Sequence, residues 1–254
     1  MLGTTACCRR AAMSPLDRTR VDKAAADCGF DLTAQLRGEI LSLRSTQFPE
    51  QLDVRVTGES SFELRTTDHA MLDGFPRTQS GWTPAVGYEM LYAVMEQMAA
   101  IGRTMPDRIA EKFQRETSNL PRSTEAERLV IQRVGQDLFR DALLDYWHGR
   151  CCVTGLAVPD LLRASHIKPW ARCETDTERL NVFNGLLLSP TFDALFDGGW
   201  ITVAEQGAIV ISDLLPLSAR IALRIERDLV LHGLSIDHEP FLSFHRAEVF
   251  RRAR

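Results

Sequence analysis

Polar and apolar positions sort the chain into alternating and helical periods. Ser14 followed by Pro15 is a helix start, a capping hydroxyl ahead of proline at the first helical position. The segment LDRTRVDKAAADCG then reads as helix and stops at Gly29. Leu52, Val54 and Val56 alternate with polar residues, as do Phe62 and Leu64. Gly58-Glu59-Ser60 separates the two runs, which predicts a hairpin. Gly74, Pro76, Gly81, Pro84 and Gly87 mark residues 74–87 as a loop. Tyr88 to Ile101 and Pro106 to Glu116 read as two helices. The polar stretch TSNLPRS at 117–123 leads into Thr124 and Glu127, which fit a capping box. A long amphipathic helix follows, with Leu129, Val130, Val134, Leu138, Leu143 and Leu144 on or near its apolar face. It has a bend at Gly135 and an end near Gly149.

Beyond residue 150 the elements shorten. Leu161 to Ile167 reads as a strand and Leu186-Leu187-Leu188 as a second. A helical segment runs from Thr191 to Phe196 and closes at Asp197-Gly198-Gly199. WITVAEQGAIVIS is an alternating hairpin turning at Glu205-Gln206-Gly207. Two helices, Ser218–Leu231 and Pro240–Arg252, complete the pattern. The fold class is α+β. Residues 1–13 read as an unstructured lead or a mis-assigned start, with Met13 before Ser14-Pro15 as the alternative. Residues 14–120 form a small α+β module, and residues 121–254 a second domain with its core at 150–205.

Composition changes this picture little. The 254 residues are 44% hydrophobic and 25% charged, an ordinary globular balance. Lys23, Lys112 and Lys168 are the only lysines among 30 basic residues, so arginine supplies nearly all the positive charge. The net charge is -4. Taken alone, it weighs against a strongly basic polyanion binder. It divides evenly: residues 1–120 hold 14 basic and 16 acidic residues, which leaves 16 and 18 for the rest. Neither half is a basic arm. The six cysteines (Cys7, Cys8, Cys28, Cys151, Cys152 and Cys173) include no CxxC pair and form no disulfide framework. No apolar run reaches the ~18 residues of a membrane span, so a soluble, cytoplasmic protein is expected.

The chemistry lies between 151 and 199. The runs are CCVTGL at 151–156, ASHIKPW at 164–170 and RLNVFNGLLLSPTFDALFDGG at 179–199. His166 ends a strand and is held by Pro169. Asn184 opens the next strand, and Asp193 stands in the first turn of the helix after it. A hairpin and helix so furnished can hold one hard divalent cation beside a general base. Those are the parts phosphodiester hydrolysis needs. On its own, Asp193 would be read as a helix-capping carboxylate.

The block resembles the HNH endonuclease family, the ββα-metal nucleases, and most closely its restriction-type branch. The shared pattern is C-x-x-T-G, S-H-I-x-P-W, R-L-N-x-x-N-G-L and F-D-x-L-F-D-x-G, with a lead-in at 133–144 and a closing run at 241–250. The resemblance spans about residues 123–254. It implies DNA as substrate, His166 as general base, and Asn184 as either a metal-reaching or a loop-bracing residue. It puts Asp193 in the place of the family's last histidine, so Mg²⁺ or Mn²⁺ is expected on oxygen ligands. Two departures stand out. Ser165 occupies the position before the base, where many members have a metal ligand, so Asp197 is a candidate to help Asp193. The places of the family's zinc knuckles are Cys151, Thr154, Ser189 and Phe192, and one thiolate cannot hold zinc, so no structural zinc is expected.

Lys168, Arg179 and Arg163 are candidate DNA phosphate contacts. Trp170, Trp200 and the His245-Arg246 pair read as packing, and the terminal Arg-Arg-Ala-Arg as a short basic tail. The reading that competes with an endonuclease is a DNA-binding or regulatory module that keeps the fold with a weakened site. Cutting both strands with one site per chain would favour a homodimer. No family is recognised in the first half, which would select substrate in a restriction or invasion-defence protein.

Overall fold

The computed structural model describes residues 13–67, 69–72, 75–121, 123–225 and 229–252. The first twelve residues with Cys7 and Cys8, Gly74 of the expected loop, residues 226–228 and the end of the basic tail lie outside the described residues. The chain divides into two compact units, one ending at Arg103 and one starting at Thr104. No helix among the described residues is long and apolar enough to cross a membrane.

The first unit begins with α1 (Pro15–Asp27), whose Ser14 cap accepts the Asp17 amide at 3.1 Å. Five antiparallel strands follow in chain order: β1 (Leu32–Arg37), β2 (Ile40–Arg44), β3 (Leu52–Gly58), β4 (Ser61–Thr66) and β5 (Thr83–Val86). Helix α2 (Tyr88–Thr104) completes the unit. The expected hairpin is β3–β4, with Val54 opposite Leu64 and Val56 opposite Phe62, all buried. Three strands were not expected. In β2, Leu41, Ser42 and Leu43 are all buried, because Ser42 donates to Asp53 at 2.8 Å, and this hides the alternation. Strand β1 is an edge with no buried face. Strand β5 lies inside the expected 74–87 loop; its Pro84 sits on the other edge, where a missing amide hydrogen is tolerated.

The second unit starts with α3 (Pro106–Thr117) and α4 (Glu125–Tyr146). The capping box forms: Thr124 accepts the Glu127 amide, and Glu127 accepts the Thr124 amide at 2.9 Å. Because α3 packs on α4, the stretch 117–123 turns a corner inside this unit. The units therefore part at 103/104, ahead of the boundary near 120 read from polarity. The apolar face of α4 also starts later than expected. Leu129 and Val130 are exposed, and burial sets in at Gly135, Leu138 and Phe139. Gly135 does not interrupt the helix. A Cβ there would lie 2.8 Å from the Trp170 ring, so glycine lets the indole close on α4.

The rest of the unit is β6 (Arg163–His166), α5 (Asp176–Arg179), β7 (Gly185–Leu188), α6 (Pro190–Asp197), β8 (Ile201–Val203), β9 (Ile209–Ile211), α7 (Leu217–Ala222) and α8 (Glu239–Phe244). Strands β6 and β7 pair antiparallel, with His166 opposite Gly185. Strand β7 is buried throughout, with α4 and α6 both in contact with it, so it reads as a solid apolar run. The hairpin β8–β9 turns where expected. The Ser218–Leu231 helix is shorter than its apolar pattern: α7 ends at Ala222, Arg224 has φ 51°, and Val230 bridges Ala208. The last helix widens at His245–Val249 into a π turn and ends at Phe250.

Candidate active site

His166 is the last residue of β6, and its ring is held on three sides. It stacks on Phe139 of α4 at 3.9 Å between centroids and 15° between planes. It meets Trp170 edge-on at 5.5 Å. Its Nε2 lies 2.9 Å from the Arg179 backbone carbonyl. A carbonyl can only accept, so Nε2 carries the proton and Nδ1 keeps its lone pair. Burial pushes the imidazole pKa below its ordinary value, with the Arg179 carbonyl opposing the shift in part. The ring is therefore neutral at pH 7, oriented, and basic at one nitrogen. Phe139 reaches it because Gly185 has no side chain: a Cβ there would lie 2.6 Å from the Phe139 ring.

Asn184 is fully enclosed. Its Oδ1 accepts the Lys168 amide at 2.7 Å, and its Nδ2 donates to the carbonyls of Lys168 and Glu178, each at 3.2 Å. Cys173 Sγ lies 3.4 Å from the same nitrogen. Asn184 thus ties together the loop between His166 and Arg179. Of the two roles open to it, this is the brace. Its enclosed oxygen accepts a backbone amide, an arrangement that suits the brace better than a direct metal ligand.

The carboxylates lie on the other side of β6. Neighbouring side chains of a strand point to opposite faces, so Ser165 turns toward α6 while His166 turns toward α4. The Ser165 hydroxyl, itself buried, donates to Asp197 Oδ1 at 3.4 Å. Asp193 and Asp197 are four residues apart on α6 and share a face. Asp197 touches solvent, yet partial burial, and then the Asp193 charge, raise its carboxyl pKa, with the Ser165 hydrogen bond opposing. Asp193 is half-buried, and neither a hydrogen bond nor an ion pair reaches its carboxylate among the described residues. Two repelling carboxylates and a hydroxyl form an all-oxygen donor set that fits a hard cation retaining several waters. Among the described residues, no group of three or more His, Cys, Asp and Glu side chains could hold a metal ion.

Residues 151–204 match the family model described as HNH endonuclease. This segment belongs to the HNH endonuclease family. No curated protein matches the chain. The HNH match supports nuclease activity on DNA.

In the HNH segment, the three expected phosphate contacts divide. Lys168 Nζ pairs with Glu178 at 2.5 Å, and Arg179 pairs with Asp176 at 2.9 Å and donates to the Cys173 carbonyl. Both cations therefore clasp the loop that Asn184 braces. Arg163 is exposed and donates only to the adjacent Leu162 carbonyl at 3.2 Å, so it alone of the three has no acidic partner among the described residues. At the family's knuckle positions, Cys151 Sγ accepts the amides of Ser189 at 3.2 Å and Thr154 at 3.4 Å, and Phe192 is buried. His245 packs as expected. It stacks on Phe196 at 3.9 Å, donates Nε2–H to the Phe196 carbonyl and accepts from Thr202. Phe139 and Gly185 escaped the sequence reading. The signal available for Phe139 was its place on the buried stripe of α4 with Leu138 and Leu143.

Proposed function

We propose that the chain is a metal-dependent endonuclease that hydrolyses DNA phosphodiester bonds with His166 as general base. The observation that carries this reading is the tautomer held by the Arg179 carbonyl, which leaves Nδ1 basic beside the end of β6. A water deprotonated by Nδ1 attacks the phosphorus in line with the 3′-oxygen. Asp193 and Asp197 would hold the divalent cation, with Mg²⁺ or Mn²⁺ matching their oxygen chemistry. When bound, the cation supplies Lewis acidity to the phosphoryl oxygens and the leaving group. Asn184, Lys168 and Glu178 keep the loop that bears the Arg179 carbonyl in place, and so keep the base in its tautomer. A phosphodiester crossing the end of β6 meets the imidazole on one side and the carboxylates on the other. A reader-plus-cutter organisation, with the first unit selecting invading or modified DNA, suits the chain by analogy with restriction proteins.

Ser165 favours a second reading, a DNA-binding module with weak chemistry, because a serine stands where a stronger ligand would complete the cation site. One experiment separates the two. Supercoiled plasmid, methylated and unmethylated, is incubated with wild type and with His166→Ala in Mg²⁺ or Mn²⁺. The endonuclease reading expects nicking by wild type and at least a hundred-fold loss in the variant, on the order of a general-base contribution. Equal, trace-level cutting by both proteins would favour the weakened module.

A further inference from the structure

We propose that the cavity beside the His166 loop receives a nucleobase of the substrate strand next to the scissile phosphate. This rests on the nuclease reading and adds a specificity site to it. The cavity is about 490 Å³, with Phe113, Ile131 and Trp170 among its walls and Arg128, Gln132, Asp176 and Arg179 at its polar positions. That volume lies within the roughly 300–1,000 Å³ common for small-molecule sites.

Its place in the unit argues for the occupant. Trp170 is both a wall of the cavity and the ring that meets His166 edge-on. Arg179 is both a lining residue and the source of the carbonyl that fixes the imidazole. A group seated there is one indole away from the base, and in a nuclease that space adjoins the bound strand. The chemistry agrees. Flipped or unpaired bases are held by stacking on aromatic rings and read along their edges by amides and guanidinium groups. Gln132 is half-buried, and its carboxamide, which can donate and accept, has no hydrogen bond among the described residues. Arg179, held by Asp176 and the Cys173 carbonyl, is a fixed wall of the cavity, which leaves the Gln132 carboxamide as the group that reads the base edge. Gly135 completes the arrangement: a side chain there would keep Trp170 from closing onto α4.

Two substitutions probe the cavity itself. Ile131→Trp fills it, and Gln132→Ala removes the reading amide. Thermal melts identify any variant that has not folded. Wild type and both variants cut a random-sequence duplex library in Mn²⁺, and the ends are sequenced. Wild type is expected to show a base preference at a position flanking the cut. Gln132→Ala flattens that preference, and Ile131→Trp abolishes it. In parallel, a single-stranded oligonucleotide with 2-aminopurine at successive positions is titrated with His166→Ala protein. Stacking on Trp170 quenches the probe, and adding Ile131→Trp weakens the quenched complex about 5- to 150-fold, the range for one base–aromatic stack. An unchanged cutting profile in both folded variants, with equal quenching, overturns the cavity proposal while the nuclease reading stands. Failure of the wild type to cut or bind any DNA overturns both.

Discussion

Gly185→Ala tests whether α4 must press against β7 to seat His166, the proposed base. The backbone at Gly185 is ordinary extended chain, φ -143° and ψ 144°, so alanine adds no torsional strain. The cost is steric. The new Cβ would sit 2.6 Å from Phe139 Cζ and 2.7 Å from both Leu143 δ-carbons. Reaching a tolerable 3.4 Å requires the ring to retreat by roughly 0.8 Å, in a core where packing is already dense. Phe139 and Leu143 are buried, so neither can swing into solvent. Overpacking of this kind costs about 1–3 kcal/mol. At about 2–4 °C per kcal/mol for a unit of this size, the melting temperature falls by roughly 2–12 °C. Because Phe139 carries the His166 ring, plasmid nicking measured well below the transition should fall further than stability accounts for. Gly58→Ala is the control: its Cβ would meet Ser61 at an ordinary 3.6 Å, with no comparable penalty. If Gly185→Ala melts within 1 °C of wild type and nicks at the full rate, the account of how the base is held is wrong.

Other expectations concern charge and the buried polar groups. His238 and His245 are buried, and burial lowers both to about 4. The unfolded chain, with histidine near 6.5, then binds more protons than the folded one between about pH 6.5 and 4. The stabilisation is complete above 6.5 and is lost as pH falls across that window, by at most about 3 kcal/mol per residue. Melting temperatures at pH 7 and 4.5 should show the drop, and His245→Gln should shrink it; equal temperatures at both pH values would exclude the mechanism. The nicking rate should fall in acid with a midpoint below the usual histidine value, since burial lowers His166; a midpoint above 6.5 would point to another base. Asn184→Ala leaves the Lys168 amide and two carbonyls without their partner and should cost about 2–4 kcal/mol, measurable by urea denaturation. Lys168→Met, which removes the charge that pairs with Glu178, should weaken activity without changing the salt dependence of DNA binding; a reduced salt slope would restore Lys168 as a phosphate contact.

Where each side chain's surroundings followed from its neighbours in the chain, the sequence alone was enough. The Ser14 and Thr124 caps, the β3–β4 and β8–β9 hairpins and the order histidine, asparagine, aspartate are local patterns, and local hydrogen bonding and side-chain period decide them. The HNH character of residues 151–204 is likewise written in spaced motifs. What needed the tertiary structure was burial and partnership. Leu129 and Val130 have the same hydrophobicity as the buried residues of α4, and only the arrival of other elements from Gly135 onward separates them. Strand β2 hid because a distant Asp53 satisfied its buried serine. The partners of Lys168 and Arg179, namely Glu178, Asp176 and the Cys173 carbonyl, were likewise set by the fold. Asn184 kept two roles in the sequence; the fold shows what neither motif nor spacing could, an amide walled in by the loop it braces. Which nitrogen of His166 keeps its lone pair was likewise undetermined until a carbonyl thirteen residues away took the other one's hydrogen. Local periodicity sets which elements form, and the choice among partners is made by contacts between residues that the linear pattern leaves far apart.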